Sequence, residues 1–377
     1  MQTTNYVDIM EKNHMEIPWH DYANDDSNVL IAEAGLIEKA SVIGRVGLIM
    51  LSCGTGAWRV RTSMNRLSKE LGVTCTVDVG LMSIAFNCFD RNDCVSQSLS
   101  IANTGVNTSK LYRMEQFVDH FPEEEAHMTG EDIHKRLDEI EEIHALYSPG
   151  KLGLAAALAC CGFTFLLGGG PIEMTLAFIT SGIDLAKLDL RSGLERLTYA
   201  IIIVMVATLF AWIMALLLHL EPADFTALHL SAATRLIFRV ITSFCGVFGF
   251  SIMFNSSYSM AATAAFIGAI ANTFRLELVD FTHIPPAAAA FIGALTAGLL
   301  ASFIKKSNGY PRISLTVPSI VIMVPGLYLY RAIYNFGIMS LTDAVSWFTS
   351  AIMIIVMLPL GLIFARILTD HTFRYCT

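Results

Sequence analysis

VSWFTSAIMIIVMLPLGLIFARIL, residues 345–368, is a run of 24 residues whose only charge is Arg366. A helix needs about 20 mostly apolar residues to cross a bilayer core. Seven further apolar runs precede it: Leu152–Leu167, Ile172–Ile183, Tyr199–Leu220, Leu236–Phe254, Met260–Phe274, Pro285–Ile304 and Ile313–Leu329. The pattern predicts a multi-span α-helical membrane protein with eight candidate spans. The first two are short and joined by GGGP (168–171), which reads as a tight turn.

Composition agrees. Of 377 residues, 54% are hydrophobic and 15% charged, and mean hydropathy is +0.55. A globular domain carries about 25% charge, so a purely soluble protein, a disordered chain and a nucleic-acid binder are all excluded. The charge is unevenly placed. Residues 1–150 hold 12 Lys+Arg against 23 Asp+Glu, a net of −11, and residues 151–377 hold 13 against 10, a net of +3. An acidic soluble domain followed by a membrane domain fits both halves. The first residues are polar and acidic, without the basic and apolar regions of a signal peptide. The eight cysteines form no CxxC, no Cys/His zinc spacing and no compact disulfide framework, so reduced thiols are expected.

Within the acidic part, residues 1–27 read as a flexible leader and 28–150 as a cytoplasmic α+β domain. Asn28–Leu51 has helical periodicity, SCGTGA (52–57) breaks it, and Trp58–Leu71 is a second helix capped by Gly72. Thr74–Phe89 alternates like a strand, and Val95–Ala102 suggests another. Ser109–Phe121 and Thr129–Tyr147 read as helices, the latter with Thr129 as N-cap and Asp132 at capping-box spacing. Lys and Arg favour the cytoplasmic side. With eight alternating spans, nine of them (Lys151, Lys187, Arg191, Arg196, Lys305, Lys306, Arg312, Arg366, Arg374) lie inside with both termini, and four (Arg235, Arg239, Arg275, Arg331) lie on or near the outer side.

The membrane part repeats itself. GFTFLLGGGPIEMTLAFI (162–179) matches GFSIMFNSSYSMAATAAFI (249–267) at an offset of 87, and the stretch from Gly182 matches that from Ala332 at an offset of 150. The second half therefore holds 150 − 87 = 63 residues that the first lacks, about two spans' worth. The reading is a shortened first repeat (151–220) and a full second repeat of five spans (221–377). Units with an odd number of spans insert in opposite senses, the inverted-repeat plan of many secondary transporters.

LSCGTGAWRVRTSMNRLSKELGVT (51–74), TGVNTSK (104–110), GGGP (168–171) and GIDLAKLDLRSGLERLTYA (182–200) resemble the threonine/serine exporter family. GFSIMFN (249–255), FIGALTAGLLA (291–301) and TVPSIVIMVPG (316–326) resemble the small partner subunit of its two-component relatives. The similarity runs from about residue 28 to the C-terminus. The resemblance implies a cytoplasmic N-terminal domain, ten spans and export of threonine or serine, or of a small carboxylate such as succinate in the two-component relatives. This chain departs from it by the two absent first-half spans.

Pro318 and Pro325-Gly326 interrupt one apolar run, and a broken helix in a membrane is tolerated where it lines a cavity. They are the first candidates for a transport pathway. Gly168, Gly169, Gly170 and Pro171 are further candidates, as an anion-binding helix end or simply a turn. Glu173 reads as a proton-coupling group or an acid at the membrane edge, and Asn255 and Asn272 as polar groups near span ends. Arg275 can pair with Glu277, hold a substrate carboxylate or snorkel. Gly54, Gly56, Arg59 and Arg61 suggest an anion contact or gate in the soluble domain, against a plain helix junction. His134, Asp138 and Glu142 read as one face of a solvated acidic helix. The expected partners are a small-molecule substrate, the lipid bilayer, protons as a possible coupling ion and further copies of the chain. No cofactor, metal or nucleic acid is expected. The competing readings are a membrane-anchored hydrolase-like enzyme and a non-transporting shortened family member.

Overall fold

The computed structural model describes residues 17–22, 29–80, 82–91, 93–101, 105–124, 127–143, 146–171, 174–175, 177–178 and 230–370. The expected span at 199–220 and most of that at 172–183, Glu173 included, lie outside the described residues. The chain divides into two compact units that part between residues 145 and 146.

The first unit is built from α1 (Leu36–Ser52), α2 (Ala57–Glu70), strands β1 (Thr74–Val79), β2 (Ser83–Phe89) and β3 (Cys94–Ser100), then α3 (Thr108–His120) and α4 (Gly130–Glu141). The strands form an antiparallel meander in the order β1-β2-β3, with Thr74 opposite Phe89 and Ser83 opposite Ser100. Ile84, Phe86 and Cys88 alternate inward on β2 and meet α1. The approach is close: a Cβ on Gly44 would lie 2.6 Å from the Phe86 ring. α1 and α2 touch similarly, since a Cβ on Gly47 would lie 2.5 Å from Met64 Sδ.

Two expectations need correcting here. The single strand-like stretch 74–89 is a hairpin of β1 and β2, with Gly80 N–H donating to Ser83 O at 2.8 Å. Alternation continues through such a turn, so the period alone does not mark it. The first helix begins at Leu36 and not at residue 28, because residues before the Gly35 N-cap pair elsewhere, Ile31 N–H donating to Met128 O at 2.9 Å. The Thr129 cap is present: its Oγ1 accepts from Asp132 N–H at 3.2 Å and donates to the Asp132 carboxylate at 2.9 Å.

The second unit starts with α5 (Pro149–Leu166) and continues with α6 (Ala232–Met253), α7 (Tyr258–Thr282), α8 (Pro286–Asn308), α9 (Arg312–Val321), α10 (Gly326–Gly337) and α11 (Leu341–Thr369). Among the described residues five segments are long and apolar enough to cross a membrane: Ala232–Met253, Tyr258–Thr282, Pro286–Lys305, Arg312–Gly337 and Leu341–Thr369. They coincide with the last five apolar runs of the sequence. The fourth is the α9–α10 pair, interrupted in its middle. Helices approach through small residues, as membrane helices do without a hydrophobic driving force between them. A Cβ on Gly298 would lie 2.5 Å from Ala365 Cβ, and one on Gly361 would lie 2.5 Å from Phe291 O.

Candidate functional site

The break between α9 and α10 organises the membrane unit. Pro318, inside α9, cannot donate back to Ser314 O. Ser319 Oγ instead sits buried between Leu315 O at 2.6 Å and Ala264 O of α7 at 2.9 Å. The helix then loosens into tight turns, with Met323 N–H on Ile320 O at 2.8 Å and Val324 N–H on Val321 O at 3.1 Å. Pro325 is the N-cap from which α10 starts afresh, and Leu329 N–H returns to Pro325 O at 3.2 Å. The intervening amides of Leu327 and Tyr328 belong to the unsatisfied first turn of a helix. A Cβ on Gly326 would meet nothing within 4 Å, so this helix start faces open space.

The helices of this unit carry buried polar atoms. Asn272 Nδ2 on α7 donates to Ser243 Oγ on α6 at 2.9 Å, both residues fully buried. Asn272 Oδ1, Thr273 Oγ1, Ser251 Oγ, Ser314 Oγ and Arg275 Nε are buried without any hydrogen-bond partner. Inside a membrane such groups are costly unless something satisfies them. Arg275 Nη1 reaches Met323 O at the break, at 3.4 Å. Glu277 is engaged elsewhere: Arg239 of α6 donates to Glu277 at 2.7 Å and to Asp280 at 2.7 Å, and Arg235 lies 3.6 Å from Asp280. This charged network was not read from the sequence. Its signal was available, since two arginines one turn apart on one helix face two acids one turn apart on the next.

The Gly turn lies at the same end of α6. Gly168 takes φ +92°, and Gly168, Gly169, Arg235 and Arg239 line one cavity of about 180 Å³. The matching turn in the second repeat has the same hydrogen bonds. Gly168 N–H donates to Phe165 O at 2.9 Å and Gly169 N–H to Thr164 O at 3.0 Å; Asn255 N–H donates to Ile252 O at 2.9 Å and Ser256 N–H to Ser251 O at 3.0 Å. Asn255 also has positive φ, 58°, where asparagine replaces glycine. Its Oδ1 accepts from Leu146 N–H at 2.7 Å, so it ties down the start of α5 and is not brought to the break.

α5 and α6 contact each other reciprocally. A Cβ on Gly162 would lie 2.7 Å from Thr242 O and 3.5 Å from Gly246 N, and one on Gly249 would lie 2.4 Å from Ala155 O and 2.9 Å from Ala159 Cβ. At the repeat offset of 87, Gly249 matches Gly162, Thr242 matches Ala155 and Gly246 matches Ala159. Each copy's glycine meets the same two positions of the other, as in a two-fold contact. Late residues of α5 meet earlier residues of α6, so the helices are antiparallel.

In the first unit, Gly54 takes φ +74° and Gly56 is the N-cap of α2. Arg59 is ion-paired with Glu115 and lies over the Trp58 ring at 5.1 Å, while Arg61 sits exposed 3.9 Å from Asp78. The two arginines thus have different acidic partners. The solvated reading of α4 also needs correction, because His134 is fully buried. Its Nε2 lies 3.0 Å from Ser41 Oγ, which itself donates to Glu38 O. Arg45 Nη1 donates to His134 O at 3.0 Å, and the same guanidinium pairs with Asp138 and Glu141. Residues 19–22 form a 3-10 turn that lays Trp19 beside His134 at 6.2 Å and sets the His20 ring between Glu131 at 2.9 Å and Asp138 at 3.0 Å. Only an imidazolium donates from both nitrogens.

The two histidines bias stability in opposite directions. Burial, with the Arg45 charge, pushes His134 down to about 4, so stability is full above pH 6.5 and is lost as pH falls from there toward 4. The Glu131 hydrogen bond leads in raising His20, so its contribution is full below pH 6.5 and is lost as pH rises through the raised value. Unfolding midpoints of a fragment of residues 1–147 should therefore peak near neutrality. His134→Gln should flatten the acid limb and His20→Gln the alkaline limb, measured by denaturant titration at several pH values. Unchanged limbs in both variants would refute the assignment.

The comparisons with known proteins come from two family models. One, described as "Putative threonine/serine exporter", matches residues 41–183, and the other, described as "Threonine/Serine exporter, ThrE", matches residues 239–368. No curated protein and no solved structure matches the chain.

Proposed function

Because the chain belongs to the threonine/serine exporter family, we propose that it is a secondary transporter exporting threonine, serine or a related small carboxylate across the cytoplasmic membrane. The observation that carries the reading is the α9–α10 break: a helix start open to space, in mid-span, with Arg275 reaching the Met323 carbonyl beside it. A zwitterion needs donors for its carboxylate and acceptors for its ammonium, and a broken helix supplies both without buried acids. Pro318, Pro325, Gly326, Asn272 and Arg275 line this pathway in the proposal, with the Gly168–Pro171 turn as the first-half contribution and Glu173 as the proton-coupling acid. Gly54, Gly56, Arg59 and Arg61 belong to a soluble unit that gates or regulates.

An inverted repeat is the architecture we assign. The reciprocal, antiparallel contact of α5 with α6 and the shared turn geometry support it. The Lys/Arg distribution supports a cytoplasmic N-terminal unit and C-terminus, and the transporter is expected to work as a homo-oligomer. Cells loaded with threonine- or serine-containing dipeptides, with and without this gene, test the function. Faster efflux of the released amino acid with the gene is expected. Equal efflux would favour a non-transporting member of the family.

A further inference from the structure

Among the described residues Arg275 is a half-buried cation without an acid. Arg239 already holds Glu277, and Arg235 and Arg239 hold Asp280. Glu277 is two positions from Arg275 on α7, a spacing that does not place side chains together on a helix. Among the described residues Arg275 makes one long hydrogen bond, to Met323 O at 3.4 Å, and its Nε is buried with none. A desolvated guanidinium left in this state is expensive. Among the described residues the groups facing it add no negative charge: they are Tyr328 of α10 and the Arg239 cation. α8 packs closely here through Gly293, where a Cβ would lie 3.1 Å from Arg275 Cβ and 3.2 Å from Met323 Sδ. The 12-residue helix α10 begins at the same break with its dipole positive end open to space.

We propose that Arg275 and the N-terminal amides of α10 form the carboxylate subsite of the pathway, with the substrate's carboxylate as the counter-ion of Arg275. Asn272 lies three positions earlier, on the same face of α7. Its Oδ1 is a buried acceptor with no partner, suited to a substrate ammonium or hydroxyl. One cation plus one neutral acceptor selects a small zwitterionic monocarboxylate over a dicarboxylate. The inference rests on the broken span as the pathway and names the group that reads the substrate.

The test is binding to the full chain in lipid nanodiscs, followed as the thermal unfolding midpoint against ligand concentration. The probes are L-threonine, L-threoninamide (which lacks the carboxylate) and succinate. L-Threonine should raise the midpoint saturably, with threoninamide and succinate at least tenfold weaker. Arg275→Gln should abolish the threonine shift, and Arg275→Lys, which keeps the charge and loses the planar fork, should weaken it about tenfold. If Arg275→Gln does not fold, Arg275→Lys decides. Unaltered threonine binding in the folded variants, equal binding of threoninamide, tighter binding of succinate, or no threonine shift at all would each overturn the subsite. Efflux measurements separate the two claims. Export that persists in Arg275→Gln refutes the subsite and leaves transport standing; Arg275-dependent binding with no export by the parent refutes transport and leaves the subsite standing.

Discussion

Replacing Pro325 by Ala and Gly326 by Leu together should reduce export to the background of protein-free vesicles. Alanine restores a backbone N–H at 325 and leucine favours helix at 326, so α9 and α10 become able to join. The fold should survive, because a side chain at 326 enters open space. What is lost is the open helix start. Removing two charge-assisted hydrogen bonds of about 1.5 kcal/mol each corresponds to on the order of 100-fold in affinity. Labelled threonine efflux from proteoliposomes, compared at equal reconstituted protein, is the measurement. Undiminished efflux would show that the substrate does not use this break.

Gly249→Val should be the most damaging single change to folding. Its Cβ would lie 2.4 Å from Ala155 O, a backbone atom that cannot rotate away. Overpacking costs typically 1–3 kcal/mol and occasionally more, and a backbone obstacle places this case at the upper end, at about 3 kcal/mol. The reciprocal contact adds a sharper expectation. Gly162→Val meets Thr242 O at 2.7 Å, the equivalent position, and should cost nearly as much. Unfolding midpoints in detergent check both. A large effect at Gly249 with none at Gly162 would mean that the two helices do not pack as symmetry-related copies.

The spans were readable because a bilayer imposes a length and a polarity that leave few alternatives. The five segments from 232 to 369 start and end within several residues of the apolar runs, and the α9–α10 interruption falls where VPG stands. The β1–β2 hairpin was hidden because both strands have the same period and their connection has little turn chemistry beyond Gly80. The His134 cluster was hidden for another reason. Side-chain polarity suggested water, but Ile133, Leu137 and Ile140 turn that face of α4 inward and carry His134 with them. Arg45 was the missed cue: an arginine within SVIGRVGLIM has to find partners in the core, and it finds Asp138 and Glu141. At the candidate site, the residue types were legible and their pairings were not. Arg275 is far closer in sequence than Arg239 to the acids of α7, yet the packing of α6 against α7 gives both acids to Arg239.

The most direct measurement of the central claim is efflux from proteoliposomes that contain only the purified full chain and are loaded with labelled L-threonine or L-serine, with and without an imposed proton gradient. Saturable release above protein-free vesicles, lost in the Pro325→Ala, Gly326→Leu double variant, is the predicted result. Release of neither amino acid under either condition, from protein shown to be folded, would contradict it.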